Sequence, residues 1–405
     1  MNILWGMMGI ITVLGIAFLF SARKRHINPR TILAGLGLQL LFAFIVLGTT
    51  VGEQALQALT FAVANIIDYT NEGILFLFDD LFDDIEEDNI FAFQVLPVII
   101  FFSSLISILY YLGIMQWFVK IIGGFLSMIL KTSKAESMSA AANIFVGQTE
   151  APLVVRPFLK DMTRSEFFAV MTGGLASVAG AVLIGYTLLG VRLDYLLAAS
   201  FMAAPAGLIM AKIIMPETEI SQTTDDIQIE KDTESQNVID AAARGAGTGL
   251  QLALNVGAML LAFIALIALV NGILGLVAYI PGVEAITLQD ILGFIFAPIA
   301  FLIGVPWQEA FMAGNFIGQK LVLNEFVAYA SFAPEIDNLS EKAEIVITFA
   351  LCGFANISSL AILIGGIGSL VPERRKEIAQ LGVRAVIAGA LASLLSASIA
   401  GMFMI

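Results

Sequence analysis

The sequence predicts an all-α polytopic membrane protein with eight transmembrane helices, two re-entrant hairpins in inverted repeats and an interfacial amphipathic helix. Of its 405 residues, 59% are hydrophobic and only 13% are charged, whereas an average soluble domain is about 25% charged. Several apolar runs reach the ~20 residues that a helix needs to cross ~30 Å of hydrocarbon. These runs are continuous rather than alternating, which favours a helical bundle over a closed barrel.

Eight apolar runs predict the membrane spans. They cover residues 2–20, 31–50, 93–115, 167–190, 194–213, 250–279, 343–370 and 382–404. The first run is followed rather than preceded by basic residues, so we expect a retained helix and not a cleaved signal peptide. The segment 53–69 is amphipathic and too polar to cross, which predicts a helix in the membrane interface. Polar residues 217–237 predict a flexible linker.

The distribution of charge predicts the orientation in the membrane. The basic loop at residues 21–30 should be cytoplasmic by the positive-inside rule, so both termini are expected outside. Only Arg192, Lys320 and Lys342 of the 20 basic side chains then lie outside. The acidic segment 79–88 is expected to be a solvated external loop. The net charge of −13 disfavours a nucleic-acid partner.

Two long segments, 134–160 and 288–331, carry polar groups at their centres and are predicted to be re-entrant hairpins. The sequence Phe145-Val-Gly-Gln148 in the first recurs as Phe316-Ile-Gly-Gln319 in the second. Downstream, Gly173-Gly-Leu-Ala-Ser177 is echoed by Cys352-Gly-Phe-Ala-Asn356. In the predicted topology the hairpins enter from opposite sides, so the repeats are inverted. Inverted repeats with broken helices are typical of secondary transporters.

Carboxylates inside a membrane are costly and therefore suggest function. Glu150 and Glu325 both lie beside predicted helix breaks. Together with nearby amide and hydroxyl groups they form a candidate site without a convergent Arg or Lys. Such a site favours a neutral or cationic ligand rich in hydroxyl and amide groups. Its candidate residues are Gln148, Thr149, Glu150, Glu325, Asn356 and Ser359, with Phe354 as a ring that can stack.

Two other classes of protein also fit part of this pattern. The carboxylates could act as the acid and base of an intramembrane enzyme. The single Cys352 and single His26 lie far from a matching cluster, so the sequence supplies neither nucleophile nor metal site, and we expect no enzyme. Re-entrant hairpins also occur in channels, but a channel pore does not need a carboxylate pair beside helix breaks.

Three longer motifs resemble those of the concentrative nucleoside transporter family. They are Gly147-Gln-Thr-Glu-Ala-Pro-Leu-Val-Val-Arg-Pro157, Asn324-Glu-Phe-Val-Ala-Tyr329 and Ala350-Leu-Cys-Gly-Phe-Ala-Asn356. The resemblance covers essentially the whole chain and is to the compact bacterial branch. It implies a homotrimer in the lipid of a bacterial inner membrane, with a transport domain that slides past a scaffold by an elevator mechanism.

The resemblance also implies a division of the chain into scaffold and transport domain. The scaffold would comprise residues 1–115, with the interfacial helix at 53–69, and span six at 250–280. The transport domain would comprise residues 116–213 and 281–405, each with one hairpin and two spans. A cytoplasmic linker at 214–249 would join the two halves.

The same resemblance assigns residues to ligands. Gln148, Thr149, Glu150 and Val182 match positions that face the nucleobase; Glu325, Asn356 and Ser359 match positions that bind ribose, with Phe354 beside them. Asn143, Val146, Ser177 and Val178 match the sodium site, the valines through their backbone carbonyls. The expected function is therefore sodium-coupled import of nucleosides such as uridine. A proton-coupled symporter, with Glu150 or Glu325 carrying the proton, is the alternative.

Overall fold

The computed structural model of the protein describes residues 2–82, 91–223, 235–276 and 285–403, and the regular structure in these ranges is helical. Among the described residues, seven helices are long and apolar enough to span a membrane, or eight if one strongly bent pair is a single span. An all-helical membrane protein is therefore confirmed. The predicted acidic loop at 79–88 begins inside a helix that runs to Phe82, and most of it lies outside the described residues.

Six helices form the first part of the chain. They are α1 (Asn2–Leu19), α2 (Pro29–Gly48), α3 (Thr50–Asp68), α4 (Thr70–Phe82), α5 (Phe91–Tyr111) and α6 (Ile114–Leu130). The Asn28 side chain caps α2 by accepting from the Arg30 amide, and Pro29 opens the helix where no amide donor is needed. The amphipathic helix predicted at 53–69 is present as α3.

The next part contains the first hairpin and the first broken span. Its helices are α7 (Lys134–Ala142), a 3-10 helix (Ala151–Phe158), α8 (Arg164–Ala176), α9 (Gly180–Leu188), α10 (Leu193–Ile214) and α11 (Val238–Gly275). Capping boxes begin α7 at Ser133 and α8 at Thr163. Asn237 caps α11, so this helix begins well before the predicted boundary at residue 250, and the predicted linker 214–249 is too long at its end.

The last part repeats this plan. Its helices are α12 (Leu288–Leu302), α13 (Trp307–Val322), α14 (Glu325–Phe332), a 3-10 helix (Ala333–Asn338), α15 (Glu341–Leu351), α16 (Ile357–Leu370) and α17 (Arg375–Ala400). The chain bends by 118° between α12 and α13, where Gly304 has a φ of +120°, and breaks again at residues 323–324. The hairpin predicted at 288–331 therefore contains two breaks instead of one.

The order of elements supports an internal repeat, but the short sequence matches do not mark equivalent places. Helix, break and helix follow one another in α7 to α9 and again in α13 to α16. Phe145–Gln148 lies in the break after α7, whereas Phe316–Gln319 lies inside α13. The equivalence inferred from this match is wrong. The two carboxylates lie at similar places, since Glu150 is the last residue of the break after α7 and Glu325 is the first residue after the break that follows α13.

The buried core consists of the broken span α8–α9, α10, α15 and α17. Most residues in these helices are shielded from the surroundings, whereas at most 22% of the residues in the membrane-spanning parts of α1, α2, α5 and α11 are buried. The exposed side chains of the outer helices include large apolar ones such as Leu254 and Leu261. A bilayer, rather than water, suits such a surface.

The outer helices attach to the core in two different ways. Helices α1 and α2 pack on α17 and α10: Gly9 lies against Ser398, and the buried Gln39 amide donates to the Met202 carbonyl at 3.0 Å. Helix α5 packs on α11, where Gly245 and Gly249 allow close approach, and also on α9 of the core. The grouping of residues 1–115 as one scaffold stays a prediction.

The termini lie at the same end of the molecule. An added Cβ on Gly6, near the start of α1, would meet Met402, which follows the end of α17. Helices α1 and α17 are therefore antiparallel neighbours. This agrees with an even number of crossings, while the side of the membrane on which the termini lie stays a prediction.

Candidate nucleoside and cation site

The non-helical segment 143–150, which is called the tip of the first hairpin below, packs directly on the break between α8 and α9. The Gly180 amide donates to the Phe145 carbonyl at 3.0 Å. An added Cβ on Gly174 would lie 2.8 Å from the Gln148 Cβ, so glycine is needed for this close approach. Small residues in the broken span thus let the non-helical tip reach the middle of the core.

The two broken spans meet at their breaks. The Phe354 amide, in the break between α15 and α16, donates to the Ser177 carbonyl at 3.1 Å. Its neighbour Gly353 lies so close to the end of α8 that an added Cβ would be 3.0 Å from the Ala176 carbonyl oxygen. The predicted breaks in spans four and seven are therefore present, and tertiary packing brings them together.

Glu325 is held at this meeting point by donors from two different elements. Its Oε1 accepts from the Tyr186 hydroxyl on α9 at 3.2 Å, and its Oε2 accepts from the Asn356 amide at 3.1 Å. Asn356 in turn caps α16, because its Oδ1 accepts from the Ser359 backbone amide at 2.8 Å. The carboxylate retains unused lone pairs with which it can accept further hydrogen bonds.

Gln148 joins the first hairpin to the same cluster. Its Nε2 donates to the Ser359 hydroxyl at 3.5 Å, while its Oε1 is buried without a hydrogen-bond partner. A buried acceptor without a donor costs about 1–3 kcal/mol, so the position suits a ligand that supplies one. The structure therefore brings Gln148, Glu325, Asn356 and Ser359 together, as the sequence predicted.

The four residues predicted for sodium lie in the tip and in the first break. Asn143 follows α7 and Ser177 follows α8, and both side chains are buried, as are Val146 and Val178. The Asn143 Nδ2 donates to the Ser139 carbonyl at 2.8 Å, which leaves its Oδ1 buried without a partner. Within the described residues no His, Cys, Asp or Glu cluster could hold a metal.

The other predicted site residues are more scattered. Glu150 is exposed and lines a cavity of about 420 Å³ between the hairpin tip, α5 and α11. Thr149 packs against Gly366 of α16. Val182 is buried in α9, and Phe354 is half-buried. Glu150 and Glu325 thus lie at similar places in the repeat but differ in environment, one facing a cavity and the other locked in a hydrogen-bonded cluster.

Sequence reasoning placed Lys320 outside the membrane, and this is wrong. Its side chain is 1% exposed, and its Nζ donates to the Ala350 carbonyl at 3.2 Å and to the Ser393 hydroxyl at 3.3 Å. The available signal was its position inside the candidate hairpin, five residues before Glu325. It was placed outside because a lysine beside an apolar run resembles an interfacial anchor.

Broken membrane helices that meet in the core, with polar side chains at the breaks, define a secondary transporter. Family models agree with this class and name the substrate. The model described as "Na+ dependent nucleoside transporter C-terminus" matches residues 195–401, the corresponding N-terminal model matches 8–81, and a "Nucleoside recognition" gate model matches 92–192. The chain belongs to the Na+ dependent nucleoside transporter family and is a nucleoside transporter.

Relatives and solved structures cover the chain almost completely. The "Nucleoside permease NupC" of Helicobacter pylori is 50% identical over 99% of this chain and 97% of its own length. The human "Solute carrier family 28 member 3" is 40% identical over 97% of this chain and 59% of that protein. A structure of "CNTnw in an inward-facing substrate-bound state" is 51% identical, with a TM-score of 0.93 and coverage of 100% and 98% of the two chains. These are transporters, so the alternative of an intramembrane enzyme is wrong.

Proposed function

We propose that this transporter is a sodium-coupled symporter that imports nucleosides such as uridine. The observation that carries the proposal is the meeting of the two breaks with the first hairpin tip, which places polar side chains from three segments in one cluster. Gln148 comes from the hairpin, Glu325 begins α14, and Asn356 begins the second half of the seventh span.

The cluster can recognise both parts of a nucleoside. Glu325 is fixed by Tyr186 and Asn356, so its remaining lone pairs point in set directions and can accept from two ribose hydroxyls. The unpartnered Gln148 Oε1 can accept from a ring N–H, with Thr149, Glu150 and Val182 beside the base. Ser359 and Phe354 would complete the ribose side.

The cation is proposed to bind where the first hairpin tip meets the end of α8. Asn143 Oδ1 is an unpartnered buried oxygen, and the C-terminal ends of α7 and α8 direct their partial negative charge to this place. The Val146 and Val178 carbonyls and the Ser177 hydroxyl would complete the shell. Because Asn143, Val146 and Gln148 share one tip, a bound cation would fix the tip that contacts the base.

A proton is the alternative coupling ion. Both oxygens of Glu325 already accept hydrogen bonds, from the Tyr186 hydroxyl and the Asn356 amide, so a proton on either oxygen would require one of these bonds to rearrange. Glu150 faces the cavity and is the better proton carrier of the two. The oxygen donors around Asn143 favour sodium.

The elevator movement is proposed to slide the transport domain, residues 116–213 and 281–405, past a scaffold of residues 1–115 and 250–280. Within this scaffold α5 and α11 form a tight pair through Gly245 and Gly249, and the 420 Å³ cavity lies between this pair and the hairpin tip. The resemblance to the family supports a homotrimer in a bacterial inner membrane, and the basic loop at residues 21–30 supports external termini.

Uptake of labelled uridine into proteoliposomes, with sodium and pH gradients imposed separately, tests the proposal. A sodium gradient at equal pH should drive uptake above the external concentration, while a pH gradient without sodium should not. Uptake that follows pH and ignores sodium would establish the proton alternative. Uptake that never exceeds the external concentration would refute coupling altogether.

A further inference from the structure

Lys320 is a buried cation that the proposed binding of nucleoside and sodium leaves unused. Its ammonium donates to the Ala350 carbonyl, in the last turn of α15, and to the Ser393 hydroxyl of α17. The single Ser393 hydroxyl proton is within reach of two carbonyls, that of Cys352 at 3.2 Å and that of Gly389 at 3.3 Å. One direct contact and one relayed contact therefore connect Lys320 to the carbonyl end of the half-helix that stops at Leu351.

An ammonium group at this depth is costly unless it is compensated. The second compensation, besides the carbonyls, is the buried Glu325 carboxylate, which accepts from Asn356 at the far end of the same 352–356 break that the Lys320 ammonium borders. Lys320 lies near the end of α13, and Glu325 begins α14 on the other side of the two-residue break. The positive charge of Lys320 therefore supports both the 352–356 break and the carboxylate proposed to bind ribose.

The break between α8 and α9 also follows the carbonyl end of a helix, but no lysine lies there among the contacts described above. Helix α8 stops at Ala176, and its carbonyl end points to the place proposed for sodium. Helix α15 stops at Leu351, and its carbonyl end points to the Lys320 ammonium. The carbonyl end of a helix carries a partial negative charge that a cation stabilises. Each half of the repeat thus has one broken helix whose end faces a cation position.

We propose that the Lys320 ammonium is a tethered cation. It stabilises the carbonyl end of α15 at the 352–356 break, as the transported sodium would stabilise the carbonyl end of α8 at the break between α8 and α9. It is a positioning residue: it holds the 352–356 break in shape and supplies a positive charge that compensates the buried Glu325 carboxylate at the same break. The chain then needs a free cation at only one of its two breaks. The comparison with sodium rests on the proposed function, whereas the link between Lys320 and Glu325 does not.

A double-mutant cycle on thermal stability, measured without nucleoside or sodium, tests the link to Glu325. Lys320→Met leaves the carboxylate without its cation, and Lys320→Met with Glu325→Gln removes both charges. We expect Lys320→Met to lower the melting temperature and the added Glu325→Gln to recover about half of that loss or more. The exposed Lys376→Met is the matched control and should change little.

Losses of melting temperature that simply add would overturn the link. A double variant that is as poorly folded as Lys320→Met would also overturn it. A double variant that folds where Lys320→Met does not would support it. Because no ligand is present, these results do not depend on which ion or substrate is transported.

The sodium dependence of uridine uptake tests the equivalence of the two cations. In Lys320→Met the ammonium position at the end of α15 is empty, and under the tethered-cation role an additional sodium ion fills it. Uptake should then depend more steeply on the sodium concentration, with a Hill coefficient higher than that of the unsubstituted chain by up to one ion. The KM for uridine should rise about tenfold or more at low sodium and fall again at high sodium. An unchanged sodium slope together with an unchanged KM would overturn the tethered-cation role, even if the stability coupling is present.

Discussion

Replacing Glu325 by glutamine is the most direct test of the ribose site. In the structure one carboxylate oxygen accepts from Tyr186 at 3.2 Å and the other from Asn356 at 3.1 Å. A glutamine can keep its oxygen toward the Asn356 amide and turn its NH₂ to the Tyr186 hydroxyl, which can also accept. The fold should therefore survive, while the negative charge and one acceptor for ribose disappear.

The expected effect on binding follows from the lost acceptor. A hydrogen bond to a charged group is worth about 1.5–3 kcal/mol, and each 1.4 kcal/mol is about tenfold in affinity. Glu325→Gln should therefore raise the Kd for uridine about ten- to a hundredfold. Isothermal titration calorimetry on the purified protein at saturating sodium measures this directly.

Glu335→Gln is the matched control for that experiment. Its carboxylate also accepts from an asparagine amide, that of the exposed Asn338 at 2.9 Å, but Glu335 itself is half-buried in the 3-10 helix Ala333–Asn338, away from the breaks. It should bind uridine as the unsubstituted chain does. A folded Glu325→Gln protein whose Kd stays within about twofold of the unsubstituted value would refute the ribose role of Glu325.

Two further substitutions test the cation site and the crossing of the breaks. Asn143→Ala removes a buried oxygen at the proposed cation site. It should raise the sodium concentration for half-maximal uptake about tenfold, the equivalent of about 1.4 kcal/mol. The exposed Asn338→Ala is its control, and an unaltered sodium dependence in Asn143→Ala would exclude Asn143 as a ligand. Gly353→Ala places a Cβ 2.6 Å from the Ser393 Oγ and 3.0 Å from the Ala176 carbonyl, a crowding that should cost about 1–3 kcal/mol and lower the melting temperature. Gly365→Ala, which meets no atom within 4 Å, should not destabilise, and equal melting temperatures for the two variants would contradict the tight crossing.

Most of the helical architecture could be predicted from the sequence because helix formation in a membrane is a local property. Apolar runs of sufficient length form spans, and clusters of Gly, Ser and Asn weaken helices enough to break them. The breaks in spans four and seven were therefore predictable at Ser177 and near Asn356. The amphipathic pattern at 53–69 likewise identified α3.

The candidate site was predictable as a set of residues but not as an arrangement. Carboxylates and amides beside helix breaks drew attention to Glu325, Asn356 and Gln148, and the structure brings these together. The same reasoning grouped Glu150 with Glu325, yet Glu150 faces a cavity in this structure. Whether a side chain beside a break is buried depends on how closely distant helices approach it. Near Glu150 these helices are α5 and α11, which leave a cavity, and the local sequence does not specify their position.

The apolar runs, the small residues and the polar groups between them suffice to identify a membrane transporter with two broken spans and two carboxylates at breaks. Three features appear only in the folded chain: α1 and α2 pack on α17 and α10, the short sequence matches are out of register, and Lys320 is buried at the end of α15. The physical reason is that the environment of a charge is set by neighbours far along the chain. Ala350 and Ser393 compensate the Lys320 ammonium from 30 and 73 residues away, a distance over which no local pattern carries information.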